Sequence, residues 1–107
     1  PNGAIRLAPF YDLVCTRAIA RISHDLAFDV GGERNPSLIS RPHWEALARQ
    51  CDIRPRFLVK RVEEMAARLL QAAVSSRAIF EERFGAYPAL QRIEQIVLNQ
   101  CERAIKR

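Results

Sequence analysis

PRFLVKRVEEMAARLLQAAVSSRAIFEERFG, residues 55–85, decides the fold. Within it Leu58, Val62, Met65, Leu69, Ala73, Ser76 and Phe80 recur every three or four residues, the period that lines one face of an α-helix. No Gly or Pro interrupts the pattern before Gly85, which predicts one long helix, or two with a bend near Ser75-Ser76. Pro55 suits the first turn, where its missing N–H would have had no helical carbonyl to bond. Gly85 offers a left-handed stop.

Working outward, Pro88 opens a second periodic stretch whose buried stripe is Leu90, Ile93, Val97, Cys101 and Ala104, leaving Arg92, Gln95, Asn99 and Arg103 outside. The few residues between the two helices predict antiparallel packing of one stripe on the other. On the N-terminal side, Ser40 is the expected N-cap of a helix of about three turns carrying Trp44, Leu47, Ala48 and Cys51, with Asp52 to Arg54 breaking the pattern. Three helices thus hold most of residues 41–107.

The first 39 residues read differently. Asn2-Gly3 is a hairpin-turn dipeptide, with Ala4 to Leu7 as its outgoing arm and no incoming arm, the pattern of a piece cut from a longer protein. Leu26, Phe28 and Val30 alternate on one face of a short strand, Gly31-Gly32 is a turn, and Leu38-Ile39 is a candidate partner strand. The expected fold is mainly α with a short β element near the N-terminus.

The chain has 107 residues, of which 49% are hydrophobic and 27% charged, enough for a single domain with one core and too few for two. No apolar run reaches the roughly 18 residues of a membrane span, and the opening residues do not form a signal peptide. Cys15, Cys51 and Cys101 are an odd, widely spaced set with no CxxC pair, so reduced thiols and a cytoplasmic location are expected. The net charge of +5 makes an anionic partner thinkable, but acids interleave with the bases, as at Glu63-Glu64 behind Lys60-Arg61. At most weak, non-specific DNA binding follows.

Composition and spacing place no catalytic or metal-binding motif on the helices. His24 and His43 stand outside HxxxH and HExxH spacings, Gly31-Gly32 lacks the rest of a phosphate loop, and Trp44 reads as core. Arg54, Arg56, Lys60 and Arg61 crowd a helix start, as a phosphate site or as ordinary solvated surface. Asp12 is different: it sits in Leu7-Ala8-Pro9-Phe10-Tyr11-Asp12-Leu13-Val14, a carboxylate among apolar and aromatic neighbours, where burial demands a cation or hydrogen bonds. By spacing alone it reads as a structural cap.

That block, followed by Leu26-Ala27-Phe28-Asp29-Val30-Gly31-Gly32-Glu33-Arg34, by Trp44 with Leu47-Ala48, and by Ile93 to Arg103, resembles the C-terminal region of the HipA-like serine/threonine kinases, toxins of bacterial toxin-antitoxin pairs. The likeness runs along essentially the whole chain, and the first block is its most specific part. It implies that residues 1–39 complete the active-site cleft and residues 40–107 form a helical bundle of the kinase C-lobe. It also assigns Asp12 to Mg²⁺ coordination, with the phosphate-binding loop, the ATP-anchoring Lys and the catalytic-loop Asp and Asn lying upstream. Mg²⁺ and ATP are then cofactors of the parent enzyme, and none is expected on the isolated chain, which scaffolds but does not catalyse. The implied partners are the remainder of the kinase chain, a protein substrate and an antitoxin-like protein, with DNA reached only through the antitoxin and no membrane. The alternative is a stand-alone helical interaction module that binds an antitoxin-like protein or DNA.

Overall fold

The computed structural model describes residues 3–10 and 15–106. Three helices dominate them: α1 (Arg41–Gln50), α2 (Pro55–Phe84) and α3 (Pro88–Lys106). Two short 3-10 turns, Thr16–Ala18 and Pro36–Leu38, precede the helices.

The local signals act as the residues dictate. Ser40 is the N-cap of α1, and its backbone N–H donates to His43 Nδ1 at 2.9 Å, closing a capping box in which histidine occupies the usual Glu or Gln position. At the other end of α1, Asp52 takes a positive φ of 57° and the Ile53 N–H bonds the Ala48 carbonyl at 2.8 Å, so the chain turns within three residues onto Pro55. α2 then runs unbroken for 30 residues through Ser75-Ser76, without the bend that was one of the two expectations. Gly85 stops it at φ 89°, its N–H donating to the Glu81 carbonyl at 2.9 Å, and Pro88 starts α3.

α2 and α3 form an antiparallel hairpin, and α1 packs against α2. Among the described residues the buried ones are Ile39, Ala48, Val59, Ala66 and Cys101. Small side chains at Ala48 and Ala66 let the helix backbones approach, which is how a thin core forms with few large residues fully enclosed. The stripe expected on α3 is the one that packs: Leu90, Ile93, Val97, Cys101 and Ala104 are all buried or half-buried. Arg103, expected outside, is half-buried and hydrogen-bonded. On α2 the expected stripe is rotated. Leu58, Val62 and Ala73 are half-buried, but Met65, Leu69 and Phe80 are exposed, and the inward side passes through Val59, Ala66, Leu70, Ala73 and Arg77. Cys51, expected in the α1 stripe, is exposed at the helix end.

The expected β element is not formed among the described residues. Gly31 and Gly32, both at positive φ, make the expected turn, but the pairing is one isolated bridge in which Val30 and Glu33 exchange N–H···O bonds at 2.8 and 3.1 Å. The physical reason lies on the return side. Asn35 accepts the Ser37 N–H at 3.0 Å and Pro36 supplies no donor, so the backbone coils into the Pro36–Leu38 turn where a partner strand would have run. Phe28 consequently has no sheet to pack on and is exposed.

The solvent-accessible surface is 8838 Å², whereas a compact monomer of this mass exposes roughly 6,000 Å². The radius of gyration, 16.0 Å, likewise exceeds the value of about 13 Å for a compact domain of some 100 residues.

Candidate functional site

Asp12, the one residue assigned to metal, lies outside the described residues. Its surroundings in the chain are defined on both sides. Upstream, Ile5, Leu7 and Phe10 expose 101%, 87% and 80% of their surface, so these three side chains have no cover among the described residues. Downstream, the Thr16–Ala18 turn is fastened to α3, where Arg17 Nη1 donates to Gln100 Oε1 at 3.3 Å.

A second anchor lies at the glycine turn. Asp29 Oδ2 accepts the Gly32 N–H at 2.8 Å, and Gly31 seats directly against the His43 backbone at the start of α1. Arg34 Nε donates to the Leu26 carbonyl at 2.9 Å, closing the base of the same loop. The N-terminal third is thereby held on α3 through Arg17 and on α1 through Gly31. Asp29 serves the turn.

The remaining singled-out residues have structural places. His43 caps α1, His24 is exposed, and among the described residues no group of three or more His, Cys, Asp or Glu side chains gathers as a metal site. Trp44, read as core, is half-buried and lines a narrow cleft with Ile39, Val59, Val62, Arg103 and Ala104. Arg54, Arg56, Lys60 and Arg61 are exposed; Arg61 pairs with Glu64 at 3.3 Å and lies over the Phe57 ring at 5.2 Å. The shallow groove beside them mixes Arg41, Arg56 and Lys60 with Glu45 and Glu63, and Arg41 spends its charge on Glu63 at 3.1 Å.

Two polar clusters were not anticipated from the sequence. Arg77 donates to Glu81 at 2.9 Å and to Glu94 at 2.5 Å, a half-buried bridge from α2 to α3. Hydrogen bonding to Glu81, and then to Glu94, holds the guanidinium charged beyond even its usual range. The signal was present: Arg77 precedes Gly85 by eight residues and Glu94 follows Tyr87 by seven, positions that face each other across a hairpin. The other cluster joins Arg17, Gln100 and Arg103, and only the fold brings these together. Cys101, buried on α3, has its thiol pKa pushed up by burial.

Compared with protein-family models, with curated proteins and with solved structures, the chain matches none. No helix among the described residues is long and apolar enough to cross a membrane.

Proposed function

We propose that this chain is the helical C-terminal part of a HipA-like serine/threonine protein kinase, in which residues 1–39 complete the active-site cleft and the helices form the lobe beneath it. The observation that carries the reading is the position of uncovered apolar surface. Ile5, Leu7 and Phe10, which lead into the kinase-like block, are almost wholly exposed, as a segment would be whose cover is another lobe of the same enzyme. The surplus of accessible surface over a compact monomer points the same way, being of the size buried in large permanent interfaces.

On this reading Asp12 holds Mg²⁺, which with ATP bound neutralises charge on the transferring γ-phosphoryl group. The chain's own contribution is positional. Arg17 on α3 and Gly31 on α1 hold stretches that follow Asp12 in the sequence against the helices. Phosphate-holding and proton-accepting groups belong to the upstream lobe, and one carboxylate cannot replace them.

The assay is Mg²⁺-dependent phosphotransfer from ATP to protein. The 107-residue chain alone is expected to show none, and the same chain joined to the sequence encoded upstream of it is expected to phosphorylate Ser or Thr. Phosphotransfer by the short chain, or an upstream sequence without an ATP-anchoring Lys and an Asp-x-x-x-x-Asn loop, contradicts the proposal. The exposed Arg54, Arg56 and Lys60 favour a second reading, a helical interaction module. Sub-micromolar, sequence-selective DNA binding at about 150 mM salt would select it, since non-specific association is far weaker there.

A further inference from the structure

Arg17, Gln100 and Arg103 meet on α3 from opposite ends of the chain. Arg17 Nη1 and Arg103 Nη1 both donate to Gln100 Oε1, at 3.3 and 3.1 Å. The same amide donates through Nε2 to the Pro36 carbonyl at 2.9 Å, which fixes its oxygen toward the two guanidiniums. Arg103 Nη1 also reaches Ser37 Oγ at 3.5 Å. All of these residues are half-buried.

Among the described residues, this cluster lacks negative charge. Neither arginine forms an ion pair among the described residues, whereas Arg77 has two carboxylates to itself. Glu102, which borders Arg103 with Asn99 and Lys106 along an open cleft, is exposed and pairs with neither arginine. An amide oxygen carries only a partial charge, so two full positive charges share one neutral acceptor where hydration is already reduced. Among the described residues, no hydrogen bond engages Nε or Nη2 of either arginine.

We propose that the Arg17–Gln100–Arg103 cluster is a binding site for a phosphate group, either the free ion or a monoester on a larger molecule. Two guanidiniums match the two charges of a phosphate dianion, and their planar N–H forks suit its oxygens better than ammonium groups would. Gln100 acts as the spacer that holds the two like charges at one point. The proposal does not depend on the kinase reading.

Isothermal titration calorimetry tests it on the 107-residue chain at about pH 8, where phosphate is a dianion. Inorganic phosphate and glycerol phosphate are titrated separately, with ionic strength held constant by sodium chloride. Saturable one-to-one binding is expected in at least one arm, and the tighter arm identifies the free ion or the ester as the source. Arg103→Gln should weaken it by at least about tenfold. Gln100→Glu, which supplies an internal counter-charge in the same shape, should abolish it and raise the thermal midpoint in phosphate-free buffer. The absence of saturable binding in both arms, or affinities unchanged in the two variants, would overturn the proposal.

Discussion

Gly31 and Gly32 occupy one turn and are constrained differently. Both have positive φ, 57° and 93°, but a Cβ on Gly31 would overlap the His43 backbone, whereas one on Gly32 meets nothing within 4 Å. Gly32→Ala therefore carries backbone strain alone, about 1 to 2 kcal/mol, and Gly31→Ala carries the same strain plus displacement of the loop from α1. Thermal unfolding of the two variants should show the larger loss at position 31, and equal losses would mean that the turn does not seat on the helix. A single methyl group thus reports whether the N-terminal third is fixed to the bundle. The turn was legible from the Gly-Gly dipeptide. Its seat was not, because His43 is remote in sequence and offers only backbone atoms.

At the scale of elements, the helix ends were the most legible feature and the face of α2 the least. Ser40, Pro55, Gly85 and Pro88 act through local backbone chemistry, so each stands where the sequence places it. The face of α2 is ambiguous because its apolar residues come in neighbouring pairs, Leu58-Val59, Met65-Ala66, Leu69-Leu70 and Ala72-Ala73. Two stripes about 100° apart are written into one helix, and only the seating of α1 and α3 chooses between them. Leu69, 44% exposed, lies on the stripe that was not chosen, so Leu69→Ala should cost under about 1 kcal/mol in place of the 2 to 5 kcal/mol of a core leucine. Ala48, fully buried, is the contrast: Ala48→Leu should cost about 1 to 3 kcal/mol by overpacking. Denaturant titration of both variants checks the register. The Arg77 bridge tests the α2–α3 hairpin separately. Glu94 keeps only 12% of its side chain exposed, so Arg77→Ala strands a carboxylate and should lower the melting point by more than the double variant Arg77→Ala/Glu94→Gln. Equal melting points would show that the bridge carries no coupling.

For the whole molecule, exposed apolar residues outweigh the buried core. Phe57, Met65, Ile79, Phe84 and Tyr87 along α2 and its turn join Ile5, Leu7 and Phe10 on the outside, while among the described residues only five hydrophobic ones are buried. The helical class and the antiparallel hairpin were readable from periodicity, but the extent of uncovered surface was not, since periodicity gives each helix one inward face and says nothing of the other. The candidate metal residue was legible only through the resemblance of its block, because a lone carboxylate among apolar neighbours serves a cap as well as a cation. The exposed apolar surface of the bundle is what the proposed kinase lobe rests on. The most direct test of that reading is the rate of Mg²⁺-dependent phosphotransfer from ATP by the full-length protein and by its Asp12→Asn variant, with the thermal midpoint of each. The account predicts a rate lower by orders of magnitude and a midpoint unchanged or raised, since the substitution removes the charge that holds a hard cation and keeps the shape. An Asp12→Asn protein that transfers phosphate at an undiminished rate would contradict it.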